Sequence, residues 1–309
     1  RVAPAAPSVR RLARELGVLA PESSFARVEL NGKDLGLFHF LGQPDESVLR
    51  KNRRMPGSIY SGNLPSSAKT DELWRDSARW KKVAWRNEVE RDTQQDLDRL
   101  LKMIHSASVA DFVTFARREI NLEAFAAFDA LDVLFGGDQH NFRENHKFYL
   151  DPYKGRWEPV AWNFRAFHHE RAFNLVDNPL LIRLKSVPEY LSLRNRILYR
   201  LLTHEASPPA LRKRAVGLLR KLAAELASDP YWAAYKLLPR TDAFHRRMMR
   251  PMDLKRLALV LASELETYSR RHAYLLEELR ENSLYEDLPA GTKEGRLVVA
   301  GRSGVRLDC

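Results

Sequence analysis

Polar side chains crowd one stretch of the 309-residue chain, GGDQHNFRENHKFYLDPYKGRWEPVAWNFRAF, from Gly136 to Phe167. It offers a carboxylate at Asp138, an imidazole at His140 and amides at Asn141 and Asn145. Beyond two short apolar runs come Asn163 and Arg165. Groups delivered into a loop by a helix ending in Gly-Gly, and backed by a hairpin, stand on rigid supports, which is how sites are commonly built. Phosphoryl transfer uses such a set: a carboxylate to orient or deprotonate the acceptor hydroxyl, and Asn or Asp oxygens to hold a hard cation against phosphates.

Several elements must position these residues. LEAFAAFDALDVLF is apolar on most of its circumference, so it predicts a central buried helix ending at Gly136-Gly137. KFYL and WEPVAW, joined by DPYKG, predict a hairpin in which Asp-Pro opens the turn and Gly155 closes it. Trp157 and Trp162 should pack between that hairpin and the buried helix. Upstream, Ser8 to Leu16 predicts a short helix capped by Ser8 and stopped by Gly17. FARVELNGKDLGLFHFL predicts a hairpin turning at Asn31-Gly32, Asp45 should cap a short helix through Leu49, and Gly57 to Tyr60 suggests another strand. From Asp92 the spacing is helical, interrupted by the central hairpin and resumed from NPLLIRLK through LEELREN. The expected domains are a small strand-containing lobe over 1–90, a helical lobe over 91–285, and a linker with the start of a following β-domain over 286–309.

Composition sets the outer limits. With 44% hydrophobic and 29% charged residues the chain is a folded protein with a full core. It contains no apolar run of the ~20 residues needed to span a bilayer and no signal-peptide pattern at its start, RVAPAAPSVRRLARELG, which lacks Met and suggests a piece of a longer precursor. The single cysteine, Cys309, rules out an internal disulfide framework and a cysteine zinc site. A net charge of +11 would suit phosphate or nucleic acid. The basic residues are spread along helical patterns, however, and no RNP motif, zinc finger or GxxxxGK[ST] loop accompanies them, so nucleic acid is not the expected partner.

In protein kinases the base Asp and a metal-binding Asn share one loop, and a second metal-binding Asp follows a hairpin. The order here matches in outline: Asp138, then Asn141 or Asn145, a hairpin, then Trp162 and position 163. The ordered set LARELGVLAP, VELNGKDLGLF, SIYSG, GDQHNFRENHKFYL with GRWEPVAW, and NPLLIRLKSVPEYLSLRNRILYRLL resembles the CotH kinase family, the spore-coat-type atypical protein kinases, from about Pro7 to Asn282.

The resemblance implies a divergent protein-kinase-like two-lobed α+β fold, with a small strand-containing N-terminal lobe and a mainly helical C-terminal lobe. It also implies ATP with Mg²⁺ or Mn²⁺, and phosphorylation of Ser or Thr on secreted or surface proteins. By position Asp138 is the catalytic base. Asn145, with Asn141 as the alternative, is a metal ligand, and Asn163 a further one. Arg165 and His140 are the cofactor-binding residues. The family's Trp-Asp-x-Asp reads Trp162-Asn163-Phe164-Arg165 here, so both acids are replaced. At an effective dielectric of ~20 each unit charge ~4 Å from a cation is worth roughly 4 kcal/mol before screening. Losing one acid and reversing another therefore weakens metal binding. An alternative reading follows: a pseudokinase that serves as a binding or assembly module of the cell envelope, coat or extracellular matrix.

Other groups carry a plainer reading. The pair His168-His169 with Glu170 cannot converge on one ion from a helix, where adjacent residues point apart. Tyr231-Trp232 reads as a helix start, and no nucleotide-anchoring lysine can be named, Lys33 lying on the tight turn.

Overall fold

The computed structural model describes residues 5–64, 72–137, 139–164, 171–230 and 254–282. Helix α1 spans Ala5–Glu15, with Val9, Leu12 and Ala13 buried. It begins before Ser8, which therefore lies inside the helix and not at its cap. Pro7 is tolerated in the first turn, where its missing N–H would have had no partner. Strands β1 (Ser23–Leu30) and β2 (Lys33–Leu41) form the expected hairpin, with Asn31 and Gly32 both at positive φ. Asp45 accepts from the Ser47 amide and starts α2 (Glu46–Lys51).

A second, four-stranded antiparallel sheet has the order β4-β3-β5-β6. Its strands are β3 (Ile59–Gly62), β4 (Trp80–Ala84), β5 (His146–Asp151) and β6 (Arg156–Pro159). It thus joins two strands from before residue 90 to the central hairpin. Asp151 Oδ1 accepts from the amides of Tyr153 and Lys154, and Gly155 takes φ +61, which closes that hairpin as its sequence predicts.

The remainder is helical: α3 (Gln95–His105), α4 (Val109–Glu119), α5 (Leu122–Phe135), α6 (Pro179–Leu184), α7 (Pro188–Thr203), α8 (Pro208–Ala227) and α9 (Leu254–Asn282). Helix α5 is the predicted central helix, with eleven of its residues buried. Phe125 and Ala126 pack with Trp157 and Phe148 of the sheet. Leu131 and Leu134 pack with α1, α7 and α9. Side chains on opposite sides of one helix thereby join two cores, which is why it lacks a polar face. The molecule is α+β: a small antiparallel sheet region and a mostly helical remainder. No helix among the described residues is long and apolar enough to cross a membrane.

Candidate functional site

Asn121 caps α5 at its start, accepting from the Ala124 amide, and Gly136 in the left-handed conformation ends it. The carbonyl of Val133 in the last turn accepts from Nη2 of Arg271, a fully buried residue of α9, at 2.7 Å. A cation there complements the negative end of the helix. Gly137 follows with no room for a side chain, since a Cβ would lie 2.1 Å from Asp132 Oδ1.

The loop from residue 139 to 145 is tied down almost residue by residue. His140 Nδ1 meets Asp132 Oδ1 at 2.9 Å and its Nε2 meets the Trp162 carbonyl at 2.6 Å. The Asn141 carbonyl accepts from His146 Nε2, the Phe142 carbonyl from Trp74 Nε1, and the Arg143 carbonyl from the Leu64 amide. Asn145 Nδ2 returns to the Gln139 carbonyl at 3.0 Å and closes the loop. On the other side Leu19 holds the strand exit, its carbonyl accepting from the Ala161 amide. Trp162 and Asn163 are therefore fixed from both directions.

Within this frame the predicted residues fall as follows. Asn145 and Asn163 come together: Asn163 Nδ2 donates to Asn145 Oδ1 at 3.0 Å, and both residues are left-handed, with φ of 68° and 52°. Asparagine tolerates that region better than most residues. Asn145 also receives support through its own amide, which donates to Asn63 Oδ1. Asn141 turns aside, its Oδ1 accepting from the Arg143 amide. His140 is buried, with both nitrogens engaged inside the chain and Phe128 and Phe164 against its ring at 4.7 Å. It braces the loop, and neither nitrogen points to a cofactor. Asp138 and Arg165 lie outside the described residues, as do His168, His169, Glu170, Tyr231 and Trp232. Trp157 is buried beside the central helix as expected, whereas Trp162 is half-exposed at the site.

Residues beyond those predicted complete the centre. Lys147 on β5 is 8% exposed, donates from Nζ to Ser61 Oγ at 2.5 Å, and lies 5.9 Å from the centre of the Trp162 ring. Burial pulls its ammonium down to about 8 from the ordinary lysine value. A lysine directly ahead of the apolar run Phe148-Tyr149-Leu150 is the available signal, because lysine is almost never buried. Neighbouring His146 is pushed down to about 3, first by burial and then by the charge of His140, against the opposing bond to the Asn141 carbonyl. The Asp132–His140 pair has no sequence signal, since its members sit on different elements.

A divalent cation does not fit the described donor set. Asn145 Oδ1 is occupied by the Asn163 amide, Asn63 Oδ1 by the Asn145 amide, and no carboxylate joins them. No group of three or more His, Cys, Asp or Glu residues able to hold a metal occurs among the described residues. Hard cations take oxygen ligands that bring negative charge, and the asparagine pair brings none.

Over residues 9–249 the sequence matches the family described as CotH kinase protein. The chain belongs to the CotH kinase protein family. It is 22% identical over 236 residues to the inner spore coat protein H of Bacillus subtilis (strain 168), a match covering 70% of this chain and 63% of that protein. The chain thus corresponds to less than two thirds of that relative's length. Among solved structures it is similar to the Shewanella oneidensis MR-1 toxin–antitoxin system of HipA, HipB and its operator DNA. That similarity covers 87% of this chain and 55% of the other, at 14% identity and a TM-score of 0.36. So loose a likeness defines no shared site. Asn163 stands where the resemblance to Trp-Asp-x-Asp leads one to expect an acid.

Proposed function

We propose that this CotH-family chain works by binding, as an assembly module of a spore coat, cell envelope or extracellular matrix, and that its kinase-type centre does not transfer phosphate. The observation that supports this reading is the Asn163–Asn145 hydrogen bond. It turns two side chains expected to face a metal toward each other. Phosphotransfer depends on cations that neutralise charge developing on the transferred group, and the described residues offer them no acid. The spore-coat relative supports the coat or envelope setting. A protein partner at that surface follows from an assembly role.

The test is incubation of the purified chain with γ-labelled ATP, Mg²⁺ or Mn²⁺ and a Ser/Thr-rich acceptor protein, beside calorimetric titration of ATP with and without metal. The expected result is no incorporated label and no metal-dependent gain in affinity. Label that is lost in Asp138→Ala would overturn the proposal. It would establish the second reading instead, an active Ser/Thr protein kinase using ATP and Mg²⁺ or Mn²⁺ with Asp138 as base. That reading is favoured by one observation: residues 139 to 145, which follow Asp138 in the chain, are held by the hydrogen bonds of His140 and Asn145.

A further inference from the structure

A buried ammonium ordinarily sits against a carboxylate, because removing its water shell costs several kcal/mol unless charge and hydrogen bonds replace it. Lys147 breaks this pattern. It is 8% exposed, yet its contacts are a serine hydroxyl and an aromatic face, Ser61 Oγ and the Trp162 ring. An ammonium has three donors, and Ser61 takes one. The polar groups threaded through the same contacts are neutral amides. Asn63 stands two residues beyond Ser61 and accepts from Asn145. Asn145 stands two residues before Lys147 and accepts from Asn163, which follows Trp162. No described carboxylate pairs with Lys147: Asp132 of α5 is held by His140, and Glu144 of the loop makes no hydrogen bond or ion pair with it. Among the described residues the Lys147 ammonium is therefore not paired with an acid, and a cation so placed attracts oxyanions and repels divalent cations.

We propose that Lys147 receives a phosphate-type oxyanion, and that this chain takes such a ligand without a divalent metal. The ammonium supplies the compensating charge that Mg²⁺ would otherwise supply, and Trp162 walls the anion on one side. Lysine acts here as a point charge with rotatable donors, as it does in other phosphate sites. The binding is independent of phosphotransfer and holds whether or not the centre is silent.

The experiment is titration of inorganic pyrophosphate, and separately ATP, into the full chain in EDTA, with Lys147→Met and Lys147→Arg in parallel. Expected is binding of both by the parent, weakened about tenfold or more in Lys147→Met and largely kept in Lys147→Arg. A second readout needs no variant: acetylation of Lys147, followed by mass spectrometry on the parent, should slow when pyrophosphate is present. Pyrophosphate binding that depends on Lys147 without any ATP binding would keep the inference and assign the anion to a source other than a nucleotide. ATP binding that requires Mg²⁺ or Mn²⁺ and is unchanged in Lys147→Met would overturn it, as would a folded parent that binds neither anion or leaves Lys147 unprotected. A parent that binds neither anion, or leaves Lys147 unprotected, overturns this inference alone, whereas metal-dependent ATP binding counts against both proposals and incorporated label counts against the proposed function alone.

Discussion

The side-chain amide of Asn163 donates to the side-chain carbonyl of Asn145 across 3.0 Å, joining the segment beyond β6 to the residue that precedes β5. Each strand end is thereby fastened to the other by a neutral bond at the point where the family resemblance implies a metal. Asn163→Asp would replace the donor with a charged acceptor, and aspartate tolerates the left-handed backbone at that position. In this variant Mg²⁺ or Mn²⁺ should raise the melting temperature, while leaving that of the parent unchanged. At a hundred times the dissociation constant the gain is about 2.7 kcal/mol. Equal insensitivity of both proteins to metal would refute this.

His140 spans from Asp132 to the Trp162 carbonyl and fills space between Phe128 and Phe164. His140→Ala removes both bonds and opens a cavity, at an expected cost of about 2–4 kcal/mol. Urea denaturation measures the loss. Amide exchange should also accelerate locally at Trp162 to Phe164, a response that general destabilisation would not confine to those residues.

Glu158 is 1% exposed and held by Arg54 Nε at 3.0 Å and Asn121 Nδ2 at 2.9 Å. Removing the cation leaves a buried carboxylate half-satisfied, so Arg54→Ala should cost about 3 kcal/mol, the lower end for such pairs because Arg54 is partly exposed. Glu158→Gln keeps the shape and the Asn121 contact and should cost less. If Glu158→Gln proved the more damaging in chemical denaturation, the ion pair would not be what secures β6 to the loop before β3.

Asp129 lies fully inside α5, accepting from the Tyr190 hydroxyl at 3.2 Å, and burial raises its carboxyl above the ordinary range despite the charge of Arg194. A raised value in the folded state means that the fold binds this proton more tightly than the unfolded chain does. The stability it contributes is therefore complete below the ordinary carboxylate value and is lost as pH climbs through the raised one. Asp129→Asn should flatten that part of the profile and gain on the parent toward alkaline pH. Denaturation midpoints of the two proteins from acid to neutral pH give the comparison, and parallel curves would contradict it.

Local chemistry made much of the scaffold legible. Asn31-Gly32, the Asp45 cap, the Asp151–Gly155 turn and the predominantly apolar α5 each follow from a few adjacent residues, and each forms where its sequence indicates. Ser8 misled because Pro7, which looks like a helix boundary, is acceptable in a first turn. The pairing of β3 with β5 was not legible, since no short-range signal couples Ile59–Gly62 to His146–Tyr149. Lys147 was passed over for that reason. Along the chain it is one lysine in a strand, and only the approach of Ser61 from β3 and Trp162 from beyond β6 shows it enclosed without an acid. His140 was noticed for its chemistry, but its bracing role needed Asp132 and Trp162, which arrive from different elements.

The bond from Arg271 to the Val133 carbonyl also fixes an order of events during synthesis. Its two ends are 138 residues apart, an interval that translation covers in roughly 7–28 s. Throughout that time the emerging chain has its central helix but not the guanidinium that finishes the helix end ahead of the Asp138 loop. A ribosome-bound chain that still lacks α9 therefore has the end of α5 without its Arg271 contact.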